Sequence, residues 1–353
     1  MSDRPRMLIY GANGYTGRLI VQRVVALGMQ PVLAGRNIEE IPSLAQEVGL
    51  EWRVVDLSDP NKLDEVLEGI TVVIHCAGPF SRTYLPMAAA CIRSKVHYLD
   101  ITGEIVAFEG LKAMHNKAKK AGVMLMPGVG FDVVPTDSLA AHLKRRLPDA
   151  SRLTLGFMGL GSISHGTATT MVENLHEGSV VRENGAFKRI RSCERVKTID
   201  FGLGPKLSMA IPWGDVSTAH HTTGIRNIEV YTPIPKGTRH LLRASGYMGW
   251  LLGAKPLQSL LKTLIDNQPA GPDQETRDKG SSYIYGEVSN DSGEVAISRM
   301  VTPEGYNLTV LAAVAIADRV MRGGFDAGYQ TPAGLYGPDM ILEIDGVKRF
   351  DVS

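Results

Sequence analysis

Met7-Leu8-Ile9-Tyr10-Gly11-Ala12-Asn13-Gly14-Tyr15-Thr16-Gly17 decides the fold. Four residues of β-strand character lead into three glycines spaced Gly-x-x-Gly-x-x-Gly, and an amphipathic helical pattern follows them. Gly11 permits a tight turn, Gly14 allows the backbone to approach a pyrophosphate, and Gly17 lets helix and strand pack closely. The N–H groups at the positive end of the helix would then face the phosphates. This order of strand, glycine turn and helix predicts a dinucleotide site, with an ordinary turn and incidental glycines as the alternative.

The composition is that of an ordinary globular chain. A length of 353 residues predicts two domains. The net charge of +1, from 38 basic and 37 acidic residues, gives no reason to expect a nucleic-acid partner. The three cysteines are odd in number and widely spaced, which favours a reducing compartment without a disulfide framework or structural zinc. Because no signal peptide is visible before the first strand, we expect a cytoplasmic location.

Strand and helix patterns alternate after the glycine turn. The further strands are predicted at Pro31–Gly35, Trp52–Val55, Thr71–His75, Val96–Asp100 and Val123–Met126. This alternation predicts an α/β fold whose N-terminal Rossmann domain holds a doubly wound parallel sheet of order 3-2-1-4-5-6. A single helix is predicted over Val106–Ala121.

The alternation stops at Pro127–Asp137, where we expect the chain to cross into a second domain. This α+β domain should hold a mixed or antiparallel sheet that closes over the nicotinamide, and a helix near Thr169–Glu177. Its strands are predicted at Arg152–Met158, Lys206–Ile211 and Asn227–Thr232, with a hairpin formed by Tyr283–Ser289 and Val295–Thr302.

Three segments follow from these patterns: a nucleotide-binding domain over 1–132, a substrate or dimerisation domain over 133–302, and a C-terminal helix and tail over 303–353. Leu308–Val320 is apolar nearly all round and ends at Gly323-Gly324, so it must be buried and should pack back on the first domain. The leucine-rich stretch His240–Ile265 is interrupted by Lys255-Pro256 and is therefore not expected to span a membrane. Its leucine stripe favours core or dimer contact; a lid over an apolar substrate and a helix on a membrane surface are the alternatives.

Arg36 indicates the choice of cofactor. It lies 19 residues after Gly17, where a site for NAD usually places an acid that holds the ribose hydroxyls. A carboxylate would repel a 2′-phosphate, whereas a guanidinium binds it, so we expect NADP rather than NAD unless Arg36 is merely a solvated loop residue. The predicted cofactor contacts are Gly11, Asn13, Gly14, Tyr15, Thr16 and Gly17 in the turn, Arg36 and Asn37 after the second strand, Asp56 and Leu57 after the third, and Ala77, Gly78 and Pro79 after the fourth.

Three residues are candidates for a catalytic proton transfer. Glu104 and Asp132 follow the fifth and sixth strands, and His165 is flanked by glycine in the second domain. The alternatives are helix caps for the two acids and a solvent-facing side chain for the histidine. His220 and His221 lack a third ligand at suitable spacing, so no metal site is expected.

Several motifs together resemble the saccharopine dehydrogenase-like oxidoreductases, in the branch that includes trans-acting enoyl reductases. The motifs are Gly11–Gly17, Ala34–Arg36, Cys76–Phe80, Tyr98–Glu104, Gly130–Asp132, Pro212–Thr218, Thr302–Tyr306 and Gln330–Pro332. The resemblance implies a nicotinamide-dependent fold with a dimerising second domain, hence a homodimer. The expected reaction is hydride transfer to or from a C=N, C=O or C=C bond of a small or lipid-like substrate.

Other functions share the glycine pattern. A short-chain reductase uses a Tyr-x-x-x-Lys pair, and none of the 11 tyrosines has a lysine four residues later. A non-catalytic NADP-binding redox sensor would need the first domain without an acid or base. A lipid-associated interaction protein, with peripheral membrane contact, would depend on His240–Ile265 alone.

Overall fold

The structure is a computed structural model that describes residues 5–159, 178–235, 237–240 and 271–352, together with Arg243, Ala254 and Thr263. The chain divides into two compact units, Met1–Val134 with Leu308–Leu335 and Pro135–Asn307 with Tyr336–Ser353. Three predictions concern residues outside the described ranges: the role of His165, the helix near Thr169–Glu177, and the packing of most of His240–Ile265.

A parallel sheet forms the centre of the first unit. Its strands, numbered in chain order over both units, are β1 (Met7–Tyr10), β2 (Val32–Gly35), β3 (Trp52–Val54), β4 (Val72–His75), β5 (His97–Asp100), β6 (Met124–Met126) and β15 (Gly328–Tyr329). Their order across the sheet is β15-β6-β5-β4-β1-β2-β3. The predicted order 3-2-1-4-5-6 is therefore confirmed, and the short β15 extends the sheet beyond β6.

Helices connect these strands. They are α1 (Tyr15–Ala26), α2 (Glu40–Val48), α3 (Pro60–Val66), α4 (Phe80–Ser94), α5 (Ile105–Ala113) and α6 (His115–Ala121). The single helix predicted over Val106–Ala121 is instead two helices that meet at Met114, which ends α5 and precedes α6. Every residue of β1, β2, β4, β5 and β6 is buried, as expected for parallel strands covered on both faces.

The second unit contains a mixed sheet. Its strands are β7 (Arg152–Gly159), β8 (Ser179–Glu183), β9 (Ala186–Ile190), β10 (Val196–Asp200), β11 (Pro205–Ala210), β12 (Asn227–Pro233), β13 (Ser281–Ser289), β14 (Val295–Pro303) and β16 (Lys348–Asp351). The order is β10-β11-β12-β7-β13-β14-β16, with β8 beside β12 and β9 beside β8. Among the described strands of this sheet only the β12–β7 pair is parallel, so the predicted mixed sheet is confirmed.

The remaining helices are α7 (Val134–Arg146), α8 (Asp215–Thr223), α9 (Gln274–Lys279), α10 (Gly305–Met321) and α11 (Pro332–Tyr336). Helix α7 covers one face of the mixed sheet, where a Cβ on Gly286 of β13 would lie 2.5 Å from the Leu143 side chain. No helix within the described ranges is both long and apolar enough to cross a bilayer.

The predicted C-terminal segment is divided between the units. From Leu308 onward α10 belongs to the first unit, where the Thr309 hydroxyl accepts a hydrogen bond from the Phe131 N–H at 2.9 Å. The chain from Tyr336 belongs to the second unit, where β16 pairs with β14.

Candidate nucleotide-binding site

The glycine turn joins β1 to α1 at the carboxyl edge of the parallel sheet. Gly11 has a φ of +79°, which glycine adopts without steric cost. A Cβ on Gly11 would lie 2.9 Å from the Ala77 backbone nitrogen, and one on Gly17 would lie 2.2 Å from the Gly11 carbonyl oxygen. Glycine at positions 11 and 17 therefore allows the turn to pack closely against neighbouring backbone.

Gly14 differs from the other two glycines because it is exposed. It precedes α1 with extended backbone (φ −72°, ψ 165°) and provides no side-chain cap. In α1 the first backbone hydrogen bond runs from the Arg18 N–H to the Gly14 carbonyl, at 2.9 Å. The N–H groups of the first turn come before this bond, at the N-terminal end of the helix. This exposed, uncapped helix N-terminus is suited to bind an anion.

The segment after β4 lies beside the turn and is held in place by hydrogen bonds that begin at His75. The fully buried His75 places its Nε2 3.0 Å from the Thr83 hydroxyl, which donates to the Ala77 carbonyl at 2.7 Å. Burial lowers the pKa of His75 to about 3, so the imidazole is neutral and donates to Thr83. The segment continues through a cis Gly78–Pro79 bond into α4.

Since β1 lies between β4 and β2, the segments after β1 and β4 flank the point where the strand order reverses. In doubly wound sheets this position at the carboxyl edge is where ligands bind.

Arg36 and Asn37 lie where β2 ends, at the expected adenosine end of the site. Arg36 is exposed, and Asn37 is engaged with α2 because its Oδ1 accepts from the N–H groups of Glu39 and Glu40 at 3.0 and 3.1 Å. The Glu40 carboxylate accepts from the side-chain amides of Asn13 at 3.1 Å and Asn37 at 2.7 Å. The structure thus brings together Asn13, Asn37 and a glutamate that the sequence analysis did not consider.

Asp56 and Leu57 follow the adjacent strand β3. Hydrogen bonds from Ser58, with a smaller contribution from the Arg36 charge, lower the pKa of the exposed Asp56. Leu57 is half-buried and packs against the core. The edge therefore carries an ionised acid and an apolar side chain next to Arg36, a combination that can surround an adenine ring and its ribose.

Glu104 is anchored to the start of α4. Its two carboxylate oxygens accept from the backbone N–H groups of Phe80 at 2.7 Å and Ser81 at 2.8 Å. It thus satisfies the first N–H groups of α4, whereas its own helix α5 has no side-chain cap. Both oxygens are thus occupied as hydrogen-bond acceptors, so the geometry suits an anchoring group.

Asp132 lies after β6, beside the residue that precedes Glu104. A Cβ on Gly103 would lie 2.6 Å from the Asp132 Oδ2, so glycine is required there to admit the carboxyl group. Although Asp132 as a residue is half-buried, enclosure of its carboxyl, aided by the Glu104 charge, raises its pKa to about 7. A group with a pKa near neutrality can both donate and accept a proton at physiological pH.

Asp100 closes the end of β5. It is fully buried and accepts from the Tyr98 hydroxyl at 2.6 Å and from the N–H groups of Thr102 and Gly128 at 2.9 and 3.0 Å. These bonds tie β5 to the segment after β6. Within the described residues, no three His, Cys, Asp or Glu side chains group to hold a metal ion.

Residues 7–126 match the family model described as the saccharopine dehydrogenase NADP binding domain. Most of the first unit is thus similar to this NADP-binding domain. This match confirms the predicted resemblance over residues 7–126 and supports NADP as the cofactor.

Two curated relatives extend this likeness. The human saccharopine dehydrogenase-like oxidoreductase is 25% identical, over 60% of this chain and 54% of the relative. A trans-acting enoyl reductase of Mycobacterium ulcerans is 30% identical over 40% of this chain and 35% of the relative. The chain thus spans about half the length, or less, of the curated relatives it matches.

Solved structures share the fold. Saccharopine dehydrogenase (L-Glu forming) from Saccharomyces cerevisiae matches with a TM-score of 0.69 at 14% identity, covering 99% of this chain and all of that one. The homospermidine synthase of Legionella pneumophila, solved with NAD, gives 0.64 at 10% identity over 99% and 91%. At these identities the likeness concerns the fold alone.

The NADP-binding domain fits a dinucleotide on its own geometry. The exposed Gly14 leaves room at the N-terminus of α1, and a Cβ there would meet only the Gly11 carbonyl oxygen, at 3.3 Å. The α1 N–H groups would hold the pyrophosphate, the residues after β2 and β3 the adenosine, and Ala77–Pro79 the nicotinamide half.

Glu40 and the pair of His75 and Thr83 were not predicted from the sequence. Glu40 could have been found because it is an acid 23 residues after Gly17 (40 − 17), near the distance at which a ribose-binding acid is expected. The contact between His75 and Thr83 has no comparable signal, because it depends on how α4 folds back over the end of β4.

Proposed function

We propose that the protein is an NADP-dependent oxidoreductase that transfers a hydride to or from a C=N, C=O or C=C bond. The observation that carries the proposal is the exposed Gly14 between two buried glycines, at an uncapped helix N-terminus on the carboxyl edge of the sheet. A nicotinamide bound there supplies or accepts the hydride, and the protein orients the substrate and moves the proton.

Asp132 is the residue we propose for the proton transfer. Its raised pKa of about 7 suits either direction of the reaction, and Gly103 admits its carboxyl at the strand end. Glu104 serves as an anchor that holds the start of α4 and keeps a negative charge near Asp132. His165 stays a candidate from the sequence alone.

The relatives support a substrate class without fixing it. One is named an enoyl reductase and others a saccharopine dehydrogenase-like oxidoreductase. We therefore propose that the substrate is an acyl compound or another small molecule, and that the enzyme is a cytoplasmic homodimer. Sedimentation velocity tests the dimer.

Replacement of Arg36 by aspartate tests the cofactor assignment. A charge-assisted bond to a phosphate is worth about 1.5–3 kcal/mol, so Arg36→Asp should weaken NADP+ about 10- to 100-fold while NAD+ changes far less. Calorimetric titration of both nucleotides gives the two dissociation constants. Equal weakening of both would show that Arg36 does not contact the 2′-phosphate.

A redox sensor is the competing function. NADPH consumption in the presence of imine, carbonyl and enoyl compounds distinguishes the two, since a sensor binds the nucleotide without turnover of any of them. Turnover that Asp132→Asn abolishes, while NADPH still binds, would support the proposed enzyme.

A further inference from the structure

The Glu40 carboxylate gathers the polar side chains at the adenosine end of the site. It accepts from the Asn13 amide at 3.1 Å and the Asn37 amide at 2.7 Å, and lies 3.8 Å from the Arg18 guanidinium. Arg18 is held in place because its Nε also donates to the Asn13 carbonyl at 3.0 Å. One acid thus engages both asparagines that the sequence analysis assigned to the cofactor.

These contacts are set by the local fold. Asn37 Oδ1 accepts from two backbone N–H groups at the start of α2, so the amide nitrogen is directed at Glu40. On the other side, Asn13 lies over Gly35, where a Cβ would be 3.3 Å from the Asn13 Oδ1. The carboxylate is therefore held at the end of β2, on the same connection that carries Arg36.

The two charged residues favour different nucleotides. A carboxylate in this region accepts hydrogen bonds from ribose hydroxyls and repels a 2′-phosphate, whereas a guanidinium attracts that phosphate. The phosphate carries close to two negative charges at neutral pH, so its repulsion by a nearby carboxylate is appreciable even in water.

We propose that Glu40 is a specificity-determining residue that opposes Arg36 and narrows the preference for NADP over NAD. This inference rests on the proposed nucleotide site. Glu40 contributes to NAD binding through the ribose hydroxyls and lowers NADP affinity through its charge. The protein therefore prefers NADP over NAD by a smaller factor than Arg36 alone would produce.

The test compares 2′,5′-ADP with 5′-AMP, two nucleotides that differ only in the 2′-phosphate and report on the adenosine end alone. In Glu40→Gln the preference for 2′,5′-ADP over 5′-AMP should rise about 3- to 30-fold relative to the wild type. Glutamine retains an oxygen that can accept from one asparagine. Glu39→Gln is the matched control, because this exposed neighbour takes no side-chain part in the three contacts of Glu40, and its ratio should stay within about twofold.

The change in this ratio decides whether Glu40 affects the preference between the two nucleotides. An unchanged or reduced ratio in Glu40→Gln overturns the inference while leaving the nucleotide site intact. Equal weakening of both probes together with a lower melting temperature would show that Glu40 only supports the fold of the loop, which also overturns it. A wild-type protein that binds neither probe nor NADPH would overturn the proposed function, and this inference with it.

Discussion

Asp132 shows how a single glycine sets the properties of an acid. With any side chain at position 103, the Asp132 carboxyl could not lie against the backbone beside Glu104. Enclosure and the neighbouring negative charge then raise its pKa to about 7. The sequence predicted both acids as candidates from their positions after strands, but it could not separate their roles. The separation depends on the N–H groups of α4, which bind Glu104 from another part of the chain.

Replacing Asp132 by asparagine should stabilise the protein above neutral pH. Because the folded pKa is raised above its usual value of about 3.9, the carboxyl costs nothing below about pH 4 and destabilises increasingly as the pH rises through 7. We expect Asp132→Asn to be more stable than the wild type at about pH 8, on the order of 1–2 kcal/mol since solvent screens this half-buried group, and to show little difference at about pH 4. Urea unfolding at both pH values measures this.

The exposed Asp326 provides the control, since Asp326→Asn should leave the pH dependence of unfolding unchanged. If Asp132→Asn and the wild type have parallel stability curves between these pH values, Asp132 is an ordinary ionised acid and loses its proposed role in proton transfer.

At the level of elements, two histidines bind strands at the edge of the parallel sheet, His97 binding β6 and His115 binding the short strand β15. His97 accepts from the Met124 N–H, and His115 accepts from the Tyr329 N–H, both at 3.1 Å. Phe325 lies over the His97 ring with centroids 3.9 Å apart. Both imidazoles act as acceptors at Nδ1, which requires that nitrogen to be unprotonated.

Acidification should weaken the hydrogen bond between His97 and the Met124 N–H of β6. Burial lowers the pKa of His97 to about 4, below its usual value of about 6.5. The unfolded chain therefore binds more protons between about pH 6.5 and 4, and the stabilisation present above pH 6.5 is lost as the pH falls through that range. When the pH is lowered from about 7 to about 5, the free energy of unfolding should fall in both proteins. The fall should be smaller in His97→Gln than in the wild type, by on the order of 1–2 kcal/mol.

Chemical unfolding of both proteins at the two pH values checks this, and acids such as Asp132 contribute equally to each. The exposed His240 serves as the control, because His240→Gln should keep the wild-type pH dependence. A variant at His97 with the same loss as the wild type would contradict the assigned role.

Most strands with a continuous or alternating apolar pattern were predicted from sequence, whereas the buried β8 and the exposed β9 and β16 were not. The parallel strands of the first unit carry continuous apolar runs, and β13 and β14 alternate. In contrast, β9 is exposed at all but its last residue, and β16 is polar, so neither carries a hydrophobic period. The hairpin of β8 and β9 had a signal that was missed: Asn184-Gly185 joins them, with φ of 50° and 85°.

On the scale of the whole molecule, sequence order and spatial grouping differ at the C-terminus. Helix α10 joins the first unit although it follows the second in sequence, and the last strand returns to the second unit. The apolar surface of α10 predicted that it would be buried, but the division of the tail depends on pairing between β16 and β14, which its polar residues do not indicate. The residues proposed for the nucleotide site, in contrast, lie almost entirely in local turns after strands of the first unit, so they could be proposed from the sequence.

The measurement that tests the account most directly is calorimetric titration of NADPH into the wild type, Gly14→Val and Gly159→Val. Position 14 has extended backbone that valine adopts, with its nearest neighbour 3.3 Å from a Cβ, so the fold should survive. Gly159 has open space around a Cβ and lies in the second unit, which makes it the matched control. We predict that the wild type and Gly159→Val bind NADPH alike, whereas Gly14→Val keeps its melting temperature within a few degrees and loses binding about 100-fold or more. A folded Gly14→Val protein that binds NADPH as tightly as the wild type would contradict the assignment of the site.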